Sequence, residues 1–208
     1  RDCLLSRGLG DVYKRQGHYL PIVIESIKKA RKSGLTIPIV YNSSGYEKVE
    51  AIEALNGIVD IFLPDFKYIS SEMAARYSNA PDYPEVAKRA LAQMVKQTGD
   101  AKFDERDMMK RGVIVRHLIL PGHIKESKKA IRYLYETYGD QIYISIMNQY
   151  TPMPGIEKRF KNLGRTITQR EYDEVVDYAV DLGVENGFIQ EGETAKESFI
   201  PQFDDTGL

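Results

Sequence analysis

From Leu20 onward, short apolar runs that open into polar or proline-bearing mouths alternate with segments whose apolar residues recur at helical spacing. This alternation limits the fold more than any other feature. Strands joined through helices in one sheet run parallel, and right-handed βαβ units are the arrangement that buries both elements. The strand-like runs are residues 37–41, 58–63, 113–120, 142–147 and 187–190. Between them, helical spacing is carried by Leu20, Val23, Ile24 and Ile27, then Val49, Ile52 and Leu55, then residues 70–77. It returns in Ala87, Leu91, Met94 and Val95, in Ile131, Leu134, Tyr135 and Tyr138, and in Tyr172, Val175, Val176 and Ala179.

The punctuation agrees with this reading. Pro21 falls in a first helical turn, and Gly34, Gly99, Gly139 and Gly183 stand where helices stop. Thr168-Gln169-Arg170-Glu171 has capping-box spacing, and Asp82-Tyr83-Pro84-Glu85 has it with aspartate at the cap. Residues 99–112 are charged and irregular, a surface excursion or small hairpin. The predicted class is α/β with a parallel sheet, and periodicity alone does not say whether that sheet closes into a barrel. Because the alternation opens on a helix, a barrel of this kind would be missing its first strands.

Composition narrows the function classes. The 208 residues carry 29 basic and 30 acidic side chains, a net charge of −1, so no field favours nucleic acid or an anionic membrane. No apolar run approaches bilayer length, and no secretory signal is visible. The single cysteine, Cys3, excludes an internal disulfide framework and agrees with a cytoplasmic protein.

Candidate chemistry sits where strands end, because the C-terminal edge of a parallel α/β sheet is where such proteins place their sites. Those positions hold Asn42, Ser43, Ser44 and Gly45; Asp65 and Lys67; His123; Asn148, Gln149 and Tyr150; and Gln190 with Glu191. Arg116 and His117 interrupt an apolar strand and must point to opposite faces. Each also has a plainer reading. Lys67 fits a solvated loop, Asp65 a turn cap, Gly45 a positive φ, Arg116 a partner for a helix carboxylate, and His117 a satisfied core residue. Three histidines without supporting ligands make no metal site.

Six blocks, taken in order, resemble one family: IPIVYNSSGYE (37–47), VDIFLPDFKY (59–68), YSNAPDYP (77–84), RHLILPG (116–122), SIMNQYTP (145–152) and GFIQE (187–191). The family is the radical S-adenosylmethionine proteins related to pyruvate formate-lyase activating enzyme, and within it a poorly characterised iron–sulfur branch. The resemblance covers nearly everything from Gly17. It implies a partial (β/α)₆ barrel, a 4Fe-4S cluster on a CxxxCxxC loop, and S-adenosylmethionine bound to the cluster's unique iron. It also implies reductive cleavage to a 5′-deoxyadenosyl radical that abstracts a hydrogen atom, with a glycyl-radical enzyme or another protein as partner. Residue by residue, Asn42 and Gly45 match the strand-end turn beside the cofactor, and Asp65 and Lys67 the Asp-x-Lys element whose lysine meets the methionine carboxylate. Arg116 matches a strand arginine near that end, and Gln149 and Tyr150 fall where relatives contact the nucleoside. A lysine suits that role as a compact cation.

The departure is the missing CxxxCxxC. Thiolates hold such clusters, and one cysteine cannot supply three. The resemblance starts at Gly17-His18-Tyr19, and residues 1–16 (RDCLLSRGLGDVYKRQ) look like sequencing-adapter read-through. The expected organisation is therefore a non-native or disordered leader over 1–16, a truncated barrel domain over 17–190 and a polar tail over 191–208. The chain is expected to be the C-terminal part of a radical enzyme, inactive alone. Competing readings are a Schiff-base aldolase-type barrel with Lys67 as nucleophile, or a non-catalytic barrel that binds a nucleotide or a protein partner.

Overall fold

A computed structural model describes residues 10–189, with side chains from Tyr19 to Phe188. Cys3, Gln190, Glu191 and most of the proposed leader and tail lie outside the described residues. The first helix, α1 (Gly10–Lys32), starts well before the predicted Leu20, so Pro21 stands inside it rather than in its first turn. Its inward stripe is Leu20, Ile24 and Ile27. Val23, predicted on that stripe, is exposed. The guanidinium of Arg31, near the helix end, donates to Asp60 Oδ2 at 2.7 Å and to the Ile58 carbonyl at 3.1 Å, which ties α1 to the start of the sheet.

Beyond α1 come β1 (Val40–Ser43), α2 (Val49–Glu53), β2 (Ile61–Pro64), α3 (Ser71–Ser78), α4 (Tyr83–Thr98), β3 (Lys102–Phe103) and β4 (Met109–Leu118). Then follow α5 (Ile124–Tyr138), β5 (Tyr143–Met147), α6 (Gln169–Leu182) and β6 (Gly187–Ile189). The sheet order is β1-β2-β4-β5-β6. All of these neighbours are parallel, and the short β3 pairs antiparallel with the start of β4 as a small hairpin. The order never reverses, so each new strand adds to the same growing edge, as in a barrel wall. The α/β class and the partial-barrel architecture therefore hold.

Three boundaries differ from expectation. Strand β1 starts at Val40, which pairs with Ile61, and takes in Asn42; Ile37, the predicted start, is 65% exposed and lies outside the strand. Ile58 and Val59 are buried but belong to the turn after α2, held by Ile58 N–H and Val59 N–H bonds to the Leu55 carbonyl. Apolar character marked burial there, not strand. Asp82 stands at the N-cap of α4 but makes no side-chain cap bond, since both its carboxylate oxygens accept from the Tyr46 hydroxyl, at 2.8 and 2.9 Å. The Thr168–Glu171 capping box forms reciprocally, as expected.

Burial alternates along the later strands. Val113, Val115 and His117 of β4 and Ile144 and Ile146 of β5 are buried. The intervening Ile114, Arg116, Leu118, Tyr143, Ser145 and Met147 are half-buried on the other face. Helix α5 contributes Ala130, Ile131 and Leu134 to the core, and α4 contributes Ala87, Ala90, Leu91 and Met94. A side chain of Leu or Ile size fully buried in this way stabilises the fold by about 1.5–3 kcal/mol. The half-open face carries Arg116, so the sheet presents a polar residue there at limited desolvation cost. No helix among the described residues is long and apolar enough to cross a membrane.

Candidate functional site

The C-terminal ends of β1, β2 and β4 meet in one polar cluster. The β1–β2 register pairs Asn42 with Leu63 and Ser43 with Pro64, and the Asp65 N–H then donates to the Ser43 carbonyl at 2.8 Å. Asp65 also bridges to Arg116, whose carbonyl accepts from the Phe66 N–H at 2.8 Å. This continuation of the ladder past Pro64 places the Asp65 side chain beside Arg116. One guanidinium nitrogen, Nη2, reaches Asp65 Oδ1 at 2.7 Å and donates to Asn42 Oδ1 at 2.6 Å. Lys67 Nζ stands 3.5 Å from Asp65 Oδ2.

Two cations thus share a single buried carboxylate. The Arg116 contact with Asp65 is a close charge pair rather than an aligned hydrogen bond, because Oδ1 has no donor in good geometry, and Arg116 Nε is buried without an acceptor. Burying a charge is costly unless its donors are matched. The cluster therefore carries an excess positive charge and spare donors, a set suited to an anionic group. It is not the helix-carboxylate pairing that was one sequence reading of Arg116.

The turn after β1 is packed onto this cluster by Gly45. Its φ is +76°, and a Cβ placed there would run into the Asp65 carbonyl oxygen. Only glycine lets the β1 and β2 ends approach so closely. The Gly45 N–H donates to Ser43 Oγ at 3.0 Å, and that hydroxyl donates to Glu47 Oε1 at 3.0 Å. Burial pushes the Glu47 carboxyl above its usual range, against the lowering effect of the Ser43 and Tyr41 hydroxyls.

Other residues hold the segment from Asp65 to Ser70. The Tyr83 hydroxyl lies 2.9 Å from the Ser44 carbonyl and 3.0 Å from the Asp65 carbonyl, and accepts from the Lys67 N–H at 3.0 Å. His117, on the opposite face from Arg116 as expected, is 1% exposed, and its Nδ1 lies 2.7 Å from the Phe66 carbonyl. A carbonyl only accepts, so Nδ1 carries the proton and Nε2 is a bare, unpartnered nitrogen. Burial pulls the His117 pKa down. Glu126 Oε1, at the start of α5, accepts from the Ile69 and Ser70 N–H groups at 2.9 and 2.7 Å. His123 Nε2 lies 2.8 Å from the Tyr77 hydroxyl, and burial, with Arg76, lowers its pKa.

Of the predicted set, Asn42, Gly45, Asp65, Lys67 and Arg116 come together. Gln149 and Tyr150 follow the end of β5 on the same edge of the sheet. Gln149 is half-buried. Tyr150 is buried, its hydroxyl donates to the Leu163 carbonyl at 2.9 Å, and burial raises its pKa to about 12. The sequence reading missed Ser43 as a relay, Glu47, Glu126 and Tyr83. Tyr83 has a signal in the sequence, since it lies in the 77–84 block, but the 82–85 capping spacing points only to a helix start there.

No family model matches the chain. An uncharacterized protein of Methanocaldococcus jannaschii is 28% identical over 163 residues, which is 78% of this chain and 44% of that protein. The chain therefore spans less than half the length of this curated relative. Among solved structures, a domain of pyruvate-formate lyase-activating enzyme from Bacteroides vulgatus superposes with a TM-score of 0.58 at 13% identity. The match covers 84% of this chain and 93% of that domain. The chain has the fold of a radical S-adenosylmethionine protein. A radical SAM methyltransferase from Sphaerobacter thermophilus shares the fold with a TM-score of 0.51 at 12% identity, over 73% of this chain and 40% of that one. The Asp65–Lys67–Arg116 cluster lies at the C-terminal edge of the β-strands of this radical SAM fold.

Proposed function

We propose that this chain supplies the S-adenosylmethionine-binding rim of a radical enzyme, with Lys67 and Arg116 holding the cofactor's methionine carboxylate. The supporting observation is the cluster's imbalance: two cations against one carboxylate, with Arg116 Nε buried and lacking an acceptor. Asp65 holds both cations in place and offers an acceptor for an amino group. Asn42 fixes the guanidinium, and Gly45 lets the β1 turn close against the site. S-adenosylmethionine brings the sulfonium carbon bond that radical proteins cleave. This chain's own residues bind and orient it. The narrower form, activation of a glycyl-radical enzyme, draws on the sequence resemblance and on the fold shared with the activating-enzyme domain.

A 4Fe-4S cluster does not fit the residues of this chain. Such a cluster needs several thiolates, and the chain has one cysteine. Among the described residues no group of His, Cys, Asp and Glu side chains is arranged to hold a metal. Cluster reconstitution on residues 1–208 is therefore expected to give no stoichiometric cluster.

Calorimetric titration of S-adenosylmethionine into the chain, its Lys67→Met variant and its Arg116→Met variant tests the binding role. Each substitution is expected to weaken binding about tenfold or more, the worth of a charge-assisted contact. Equal affinity in all three proteins, or no binding to the unsubstituted chain, would overturn the reading.

A further inference from the structure

We propose that Tyr83 is a positioning residue for the carboxylate-binding rim. Its hydroxyl is the pin that sets the distance between the β1 turn and the Asp65–Lys67 segment. The proposal rests on the function proposed above and extends it to a residue that touches no cofactor group.

The hydroxyl is 2.9 Å from the Ser44 carbonyl, 3.0 Å from the Asp65 carbonyl and 3.0 Å from the Lys67 nitrogen. It has one proton to give and two lone pairs, so it donates between the two carbonyls and accepts from the Lys67 N–H. Those three backbone groups belong to the two segments that form the site. They flank Gly45, whose missing Cβ leaves room for the Asp65 carbonyl and would itself lie 3.3 Å from the Tyr83 oxygen. The Lys67 N–H and the Asp65 carbonyl are beyond the end of β2 (Ile61–Pro64), where ladder bonding thins out, so the phenol takes over that work.

Tyr83 is well placed to stay still. It is 3% exposed, sits in the first turn of α4, stacks on Tyr46 with centroids 5.8 Å apart, and meets the Tyr68 ring edge-on at 5.6 Å. A ring held between Tyr46 and Tyr68 leaves its hydroxyl little freedom, and a rim loop hung from it inherits that rigidity. A site that recognises a carboxylate through Lys67 needs such a support, since an ångström of play in the backbone weakens a charge-assisted contact at once.

Residues 1–208 are compared as the parent sequence, Tyr83→Phe and Tyr46→Phe by two measurements. The first is amide hydrogen exchange without ligand. The Lys67 amide is expected to exchange at least about tenfold faster in Tyr83→Phe, as the loss of one hydrogen bond implies. The Val115 amide in the buried sheet reports global stability, and Tyr46→Phe, which keeps the pin, is expected to leave Lys67 unchanged. The second is calorimetry with S-adenosylmethionine and with decarboxylated S-adenosylmethionine. Tyr83→Phe is expected to reduce the parent's preference for the carboxylated ligand about tenfold while the decarboxylated ligand binds as before.

An unchanged Lys67 exchange rate overturns the pin. An equal loss of both ligands, or a preserved preference, overturns its role in carboxylate recognition. If the parent itself shows no preference between the ligands, the proposed function fails, and with it the recognition role. The exchange arm then still decides whether Tyr83 holds the rim.

Discussion

Replacing Gly45 by alanine isolates the close approach on which the rim depends, and Gly57 provides the comparison. Both glycines have positive φ, +76° and +71°. A Cβ at Gly57 meets nothing within 4 Å, whereas one at Gly45 collides with the Asp65 carbonyl oxygen. The left-handed conformation costs an alanine about 1–2 kcal/mol at either site, and the smaller unfolded-state entropy of alanine offsets part of that equally. Gly57→Ala should therefore lose about 1 kcal/mol. At Gly45 the turn must also lift away from β2. That movement strains the Gly45 N–H bond to Ser43 and the Tyr83 contacts to Ser44 and Asp65, each worth about 1 kcal/mol. The expected loss is about 3–4 kcal/mol, a large share of the 5–15 kcal/mol typical of a domain. Urea unfolding of both variants at one pH measures the difference, which should be about 2 kcal/mol or more. Equal losses would refute the claim that the β1 turn is packed onto Asp65.

Thr168→Ala should cost about 1 kcal/mol in the same unfolding assay, because the cap closes reciprocally with Glu171; an unchanged midpoint would contradict the cap. His117, buried and neutral, has a folded pKa below its ordinary value, so the stability it contributes is present above about pH 6.5 and is lost as pH falls toward the folded value. His117→Asn keeps an N–H donor, and it should flatten the fall in stability between pH 6.5 and 5, by up to about 1.4 kcal/mol per pH unit. Glu47 has the opposite sense. Its folded pKa is raised, so its contribution is present below about pH 4.5 and lost as pH rises through the folded value. Glu47→Gln, which can still accept from Ser43, should therefore gain in stability relative to the parent as pH goes from 4.5 to 7, and a pH-independent difference would contradict the buried carboxylate.

Periodicity carried the helices well, because amphipathic faces such as Ala87, Leu91, Met94 and Val95 are spaced by the helix itself and all are buried. Strand ends were harder. Ile58 and Val59 are as apolar as Ile61 and Phe62, yet only the latter pair with neighbours, since burial in a turn and burial in a sheet leave the same mark. Ile37 misled in the other direction, being apolar, exposed and outside β1. Within the site, Asp65 and Lys67 were legible as strand-end polar residues, and their union with Asn42, Gly45 and Arg116 followed the resemblance. The hydrogen bonds that Tyr83 and His117 donate to backbone carbonyls, and those that Tyr83 and Glu126 accept from backbone amides, were not legible, because a backbone partner has no letter in a sequence. The same holds for Asp82, whose cap spacing is right and whose carboxylate is taken by Tyr46.

The central claim is that Lys67 and Arg116 bind the cofactor's carboxylate, and amide-resolved NMR during titration of S-adenosylmethionine into residues 1–208 tests it most directly. Saturable shifts are expected at Gly45, Asp65, Lys67 and Arg116, the positions brought together by the β1, β2 and β4 ends, and these should be largely absent with the decarboxylated ligand. Saturable shifts confined to other surfaces, or identical responses to the two ligands, would contradict the account.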